Sequence, residues 1–377
     1  MINGYRVRLA RELSCLTQSD MADEIGVTQS AIAQIESGRF QPSADVVEAL
    51  SARLGFPATF FSLDDPPHFP SGSLLFRAHA NLSSSEKAEA ERYGQIVYEA
   101  SITLGKRVKN KTPLRLPQLD EEPTDIVTAA QLTRDALGMS PDMPIPHLIR
   151  AVEQIGVLVF AIPVHLPKRE AYSLWSRVKT LWSSSELTRP VVVVFAGVPG
   201  DRLRFSVAHE LGHLVMHQAI KGVSHELEKD ANKFAVELLM PSEAMAQEIL
   251  TPVTLNSLAG LKARWGVSIK SLLRRAKELD VISDRQYRYL RERMAQYGWE
   301  RQEPYELVPE KPRALRQMAE MIYGQPIDYQ RLASELRLTP HFTKRIIEAY
   351  ATKEESFTRI SIREENVSDP IGIKRWQ

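Results

Sequence analysis

Arg204-Phe-Ser-Val-Ala-His-Glu-Leu-Gly-His-Leu-Val-Met-His217 is the stretch on which the reading of this chain turns. It holds His-Glu-x-x-His, as His209, Glu210 and His213, in an apolar-periodic run without proline, and so predicts one continuous helix. Residues i and i+4 share a helix face, so both imidazoles can meet one metal ion. Glu210 follows about 100° around the helix, where its carboxylate can reach a water on that ion. The combination predicts metal-assisted hydrolysis. His217 repeats the four-residue step, but it lies about 12 Å from His209 along the axis. One ion cannot take all three, and His217 reads as structural.

Two histidines leave a zinc site in need of a third protein ligand. Downstream, Glu226-Leu-Glu-Lys-Asp-Ala-Asn-Lys-Phe-Ala-Val-Glu-Leu-Leu-Met-Pro241 reads as one helix stopped by its proline. Its apolar face is Ala231, Phe234, Ala235, Leu238 and Leu239, and its carboxylates are Glu226, Glu228, Asp230 and Glu237. A ligand has to point from the N-terminal side of that face towards the motif helix. Glu228 is the best placed, with His225 a rival at a less fixed position. Asn232, four residues on, can hold a ligand from behind.

At the other end of the chain, Thr17 can cap a short helix whose inner side is Met21, Ala22 and Ile25. Gly26 supplies a tight turn, Val27 plugs between helices, and Thr28 caps a second helix with inward Ile32 and Ile35. The second helix exposes Thr28, Gln29, Ser30, Ala33 and Gln34 near its start. Glutamine amides suit an adenine edge and hydroxyls suit phosphates or bases, while Gln18 is placed to touch a phosphate. The pattern predicts a helix-turn-helix that binds double-stranded DNA.

Composition sets the class. The chain has 377 residues, 43% apolar and 25% charged, enough for several soluble domains. A net charge of +1 argues against a protein coated all over by nucleic acid. A single cysteine, Cys15, rules out an internal disulfide and a cysteine-rich zinc site. The first residues have no signal-peptide core, and the longest apolar run, Val191–Val198, is too short to span a bilayer. The expected setting is cytoplasmic, with no membrane partner.

Proline- and glycine-rich Asp64–Ser73 reads as a joint. A helix from about Ser83 to Lys109 follows, with Ala88, Tyr93, Ile96, Val97 and Ile102 on its apolar side. It reads as a connecting or dimerising helix, the latter giving a homodimer. Lys106–Lys111 is basic, and Leu114–Asp125 forms a second linker. Helices near 126–137 and 145–155, strands at Val157–Ile162 and Val191–Phe195, and then the motif helix predict an α+β unit. An edge strand beside the metal cleft can hold an extended peptide by backbone pairing.

Towards the C-terminus, Trp265-Gly-Val-Ser268 echoes Ile25-Gly-Val-Thr28, and Leu332-Ala-Ser-Glu-Leu-Arg-Leu-Thr339 does so more faintly. Both predict further helix-turn-helix-like units. The first carries Lys262, Arg264, Lys270, Arg274 and Arg275, which suit either contact with DNA or an acidic protein, or stacking on the metal domain. Residues 311–351 look helical, and Phe357–Arg363 alternates like a short strand.

Residues 5–61 resemble the Cro/cI-type (XRE) DNA-binding domain, with Pro42, Leu50, Leu54, Gly55, Phe60 and Phe61 matching its last two helices. Arg-x-Arg-Phe-Ser-x-Ala-His-Glu-Leu-Gly-His (202–213), followed by residues 228–241, resembles the ImmA/IrrE zinc metallopeptidases over about 125–245. That resemblance implies a gluzincin-like site with Zn2+ on His209, His213 and Glu228, Asp230 being the reserve ligand. Glu210 would be the general base; in this chain Tyr172 and His225 are the candidates, outside the resemblance, for a further donor to the oxyanion. It also implies a protein substrate, a helix-turn-helix repressor cleaved to release phage, mobile-element or stress genes.

The expected fold is thus multidomain and mainly α, with an all-α DNA-binding unit at 1–66 and a linker and connecting helix at 67–124. An α+β peptidase at 125–245 follows, then a helix-turn-helix-like module at 246–300 and a mostly helical region at 301–377. Two other functional readings stand beside the peptidase. One is a transcription factor whose peptidase fold only senses a ligand or packs a partner; the other is an antitoxin-like regulator.

Overall fold

In a computed structural model the described residues are 1–67, 69, 83–108, 113–119, 125–164, 170–179, 186–195, 197–217 and 225–349. The N-terminal unit holds α1 (Gly4–Leu13), α2 (Gln18–Ile25), α3 (Gln29–Glu36), α4 (Ala44–Leu54) and a 3-10 turn at Ala58–Ser62. Thr17 and Asp20 form a capping box at α2, and the Thr28 hydroxyl accepts from the Ala31 amide to start α3. Gly26 between them is left-handed, at φ 71° and ψ 35°. Met21, Ala22, Ile32 and Ile35 are buried, whereas Ile25 and Val27 are partly buried against them. Gly4 allows α1 to abut the end of α3, since a Cβ there would lie 2.2 Å from the Ile35 carbonyl oxygen.

Next comes α5 (Ser84–Gly105), opened by a Ser83–Glu86 capping box. It is buried on more than the one face its sequence predicts, because Gln95, Ile96, Val97 and Tyr98 are all enclosed. One side meets α1, where Arg6, 1% exposed, sends both terminal nitrogens to the Glu99 carboxylate at 2.7 Å. The same guanidinium donates to the Asp64 carbonyl oxygen, and Arg92 of α5 pairs with Glu12. The apolar positions of α5 are therefore used inside the chain. It connects the N-terminal unit to the central one.

The other side of α5 meets the central unit. Here α6 (Ile126–Ala136) and α7 (Leu148–Gln154) lead into β1 (Leu158–Ile162), β2 (Ala171–Lys179) and β3 (Glu186–Phe195). The sheet order is β1-β3-β2, with β1 parallel and β2 antiparallel to β3. Val191–Phe195 in the middle strand are fully buried, as expected for a strand covered on both faces. The sequence predicted two strands here, and the third, β2, was missed. Its Ser173 and Ser176 look like loop residues, yet both are buried and hydrogen-bonded. Alternation sends Tyr172 and Ser176 to α5, where they meet the Ala90 carbonyl and Tyr98, and Ser173 and Trp175 to the opposite face.

That opposite face carries α8 (Gly200–Met216), which packs against α9 (His225–Leu239) and is followed by α10 (Ser242–Glu248). Two further helix-turn-helix units follow. The first is α11 (Leu255–Trp265) and α12 (Ile269–Glu278), with Gly266 left-handed at φ 66° and Ser268 as cap. Its cations serve packing: Lys262, 3% exposed, bonds Asp201 and Glu303, and Arg275 bonds Glu237 and the Met240 carbonyl. Arg204 of α8 fastens the turn through the Gly266 carbonyl oxygen at 3.0 Å. After α13 (Asp284–Gln296), α14 (Ala314–Tyr323), α15 (Tyr329–Leu336) and α16 (Pro340–Ile347) return to pack on α5 and β1. The expected strand Phe357–Arg363 lies outside the described residues.

Arg6 is the strongest single tie between the N-terminal unit and α5. Arg6→Ala leaves Glu99 without its partner and should cost about 3 kcal/mol in urea unfolding. Arg6→Met with Glu99→Met, which removes both charges, should cost clearly less.

Candidate metal centre

The motif helix forms because Arg204–Met216 has no breaker except Gly212, and packing turns that glycine to use. A Cβ on Gly212 would lie 3.0 Å from the Phe234 ring and 3.2 Å from the Ala231 Cα. Without it, α9 crosses α8 within the motif itself, and the N-terminal half of α9 comes to the histidine face. His209, Glu210 and His213 are buried, at 0%, 1% and 7% exposure.

Three donors converge there. The Nε2 atoms of His209 and His213 are 3.1 Å apart, and the Glu228 carboxylate lies 3.4 Å from the first and 3.2 Å from the second. Together they are the cluster among the described residues able to hold a metal ion. A tetrahedral zinc with bonds of about 2.0–2.2 Å sets its ligand atoms roughly 3.3 Å apart, so the spacing fits. For both Nε2 lone pairs to face an ion, both Nδ1 atoms must carry the proton and need acceptors. Asn232 Oδ1 lies 3.1 Å from His209 Nδ1, and His217 Nδ1 lies 3.0 Å from His213 Nδ1. Burial, then the neighbouring His213, holds His217 down to about 4, so it is neutral near pH 7 and able to accept.

Glu210 points to the sheet side of the cluster, where Ser173 of β2 donates to its Oε2 at 2.7 Å. On the other side of Glu228 opens a cavity of about 390 Å³. Its walls include Glu170, Arg202, Phe205, Ser206 and, from the α11–α12 turn, Val267 and Ser268. The cleft is thus closed in part by the second helix-turn-helix unit.

The other residues singled out from sequence fall as follows. Tyr172 is fully buried on the α5 face of β2, with its hydroxyl on the Ala90 carbonyl at 3.2 Å, so it is not an oxyanion donor. Strand alternation puts it on the wrong side. His225 is exposed at the start of α9, and both it and the half-buried Asp230 lie outside the three-residue cluster. Thr28, Gln29, Ser30 and Gln34 are exposed on the N-terminal unit, while Ala33 and Gln18 are half-buried. The Gln29 amide donates to Gln18 Oε1, and the Gln18 amide to Glu36, each at 2.8 Å. Glu36 is itself gripped by Arg11 through both oxygens. Sequence reasoning missed Arg11, Glu36 and Ser173. Two charged residues inside a small helical unit were the available signal for the first pair. For Ser173 there was none.

Comparison with known proteins bears on both units. Residues 7–61 match a family model described as helix-turn-helix, and residues 152–277 match one described as an IrrE N-terminal-like domain. The second match extends through α12, so the α11–α12 unit lies within it. No curated protein matches the sequence. Among solved structures, PlcR of Bacillus thuringiensis, in complex with the peptide PapR7 and DNA, aligns over 91% of this chain and 90% of its own. It is 11% identical with a TM-score of 0.15, too low for a shared overall superposition. The chain joins a helix-turn-helix domain to an IrrE N-terminal-like, peptidase-type domain.

Proposed function

We propose that this protein is a cytoplasmic DNA-binding regulator whose central domain is a zinc metalloendopeptidase acting on a repressor-type protein, in a stress, phage or mobile-element response. The observation carrying the reading is the convergence of His209 Nε2, His213 Nε2 and the Glu228 carboxylate on one point, with an acceptor behind each imidazole. His209, His213 and Glu228 would hold the ion, and Asn232 and His217 would fix the ring orientations. Zinc at that point would polarise the scissile carbonyl and make water a nucleophile near neutral pH.

Glu210 takes a proton from the attacking water and returns it to the leaving amine. Ser173 holds that carboxylate at a fixed distance from β2. The outer edge of β2, which has no strand partner among the described residues, is available to pair with an extended substrate segment. The helix-turn-helix nature of the substrate rests on family resemblance. The DNA target is read by Gln29, Ser30 and Gln34, with Gln18 braced by the Arg11–Glu36 pair and Thr28 at the helix start.

Purified protein should carry one zinc per chain by elemental analysis, and His213→Ala should carry almost none. Glu210→Gln should keep its zinc and cut candidate repressors about 10²–10⁴-fold more slowly. A wild-type protein free of zinc, or a Glu210→Gln variant that cuts normally, would sink the peptidase reading. Asn232→Leu should weaken zinc binding about 10–100-fold, measured by competition with a chelator. On the DNA side, Gln29→Ala with Gln34→Ala should reduce the preference for the selected operator by about 1–3 kcal/mol per lost base contact. Binding to random duplex should barely change.

A further inference from the structure

The turn between α15 and α16 repeats the DNA-reading turn of the N-terminal unit residue by residue. Thr28, Ser268 and Thr339 each cap the second helix, their hydroxyls accepting from the amide three residues on. The plug residue is Val27, Val267 or Leu338, and the residue before it is left-handed in all three: Gly26, Gly266 and Arg337. Four residues before that turn, Ala22 and Ala333 are both 1% exposed, where small side chains let the helices cross. The inward positions Ile32 and Ile35 of α3 correspond to Thr343 and Ile346 of α16, all buried.

What differs is the outer face. In α12 the positions corresponding to Gln29 and Ala33 are Ile269 and Leu273, both buried, and Glu303 binds the first amides of the helix. The first turn of that helix is thus occupied from inside the chain, while Lys270 and Arg274, at the positions of Ser30 and Gln34, stay exposed, Arg274 paired with Glu278. In α16 the positions corresponding to Ser30, Ala33 and Gln34 are His341, Lys344 and Arg345, all exposed. Arg331 and Arg337 are exposed beside them. Of the nearby carboxylates, Asp328 caps α15, Glu335 pairs with Arg107, and Glu348 accepts from the Tyr329 hydroxyl and lies 4.0 Å from Lys344, while Arg345 sits over the Tyr93 ring.

Arg337 is a second, independent sign. It adopts φ 52° and ψ 43°, a conformation that strains an L side chain, where both sister turns have glycine. The strain sets a cation at the mouth of the turn. The unit also adjoins the N-terminal one, because Phe342 packs on Phe56 at 5.3 Å and on Tyr93 of α5 at 5.6 Å between ring centroids.

We propose that the α15–α16 unit is a second DNA-binding surface, contacting duplex phosphates through Arg337, Lys344 and Arg345 next to the N-terminal helix-turn-helix. Its cations match a polyanion, and the N-terminal unit alongside is of the type that engages one. The two units would then share a single bound duplex, with the N-terminal one supplying most of the base recognition.

The test uses the full chain and a labelled duplex of about 30 base pairs, selected from a random pool by the wild-type protein. Arg337→Gly with Lys344→Gln alters only exposed side chains and relaxes the strained turn, so thermal unfolding should show the fold intact. Its affinity near 0.15 M salt should fall about tenfold or more, and the slope of log affinity against log salt should shrink by about 2. Lys270→Gln with Arg274→Gln, an equal change of exposed charge on α12, whose first turn is held by Glu303, should do neither. Unchanged affinity and slope would overturn the proposal. An equal loss from the α12 pair would overturn it too, as a general charge effect. A change in self-association with DNA binding intact would assign the face to a protein partner instead. Selection of no duplex by the wild type would remove both surfaces at once.

Discussion

Gly212 has no side chain, and the Phe234 ring lies only 3.0 Å from where its Cβ would be. That close crossing of α8 and α9 is the constraint on which the candidate site depends. It puts Glu228 within 3.4 Å of two imidazoles that lie on another helix. It also puts Asn232, one turn further along α9, behind His209. A wider crossing would leave an i, i+4 histidine pair on a helix surface with no third ligand. The histidines define a possible metal site; the packing of a glycine makes it a three-donor one.

A single strand then ties this site to the rest of the molecule. On β2, Ser173 holds Glu210 from one face, while Tyr172 and Ser176 meet α5 from the other. On its far side α5 grips α1 through Arg6–Glu99 and Arg92–Glu12. The DNA-binding unit is therefore built onto the back of the peptidase-type sheet rather than hung from a loose linker. The Arg6–Glu99 pair is bidentate and its guanidinium is buried, so removing one partner costs more than replacing both. Cleft and reading helix are held in one relative placement within this structure.

Three helix-turn-helix turns in one chain show how far local sequence goes. Cap, plug and left-handed residue specify the turn itself, and each of the three forms. Whether the second helix can meet an outside partner is decided by what packs on it. Glu303 and the burial of Ile269 and Leu273 close the start of α12 and part of its outer face, whereas α3 and α16 keep more of theirs exposed. Composition alone would have favoured the α11–α12 unit, which carries more cations, yet its Lys262 and Arg275 are buried in ion pairs.

Most of the helices were legible because caps, glycines and 3.6-residue periodicity act over a few residues. His209, Glu210 and His213 were legible for the same reason, since one helix fixes their spacing. Glu228 could be chosen among four carboxylates only by assuming which face of α9 turns inward. Strand β2 was not legible, because its polar residues are satisfied by partners distant in sequence, Ser173 by Glu210 and Ser176 by Tyr98. The face Tyr172 presents followed from the same pairing, which overturned its assignment to the site. By itself the sequence determined local hydrogen bonding: helices, turns and the imidazole pair on one helical face. Only the tertiary structure decided which side chains share a cleft, because burial and partner choice depend on elements that meet from far along the chain.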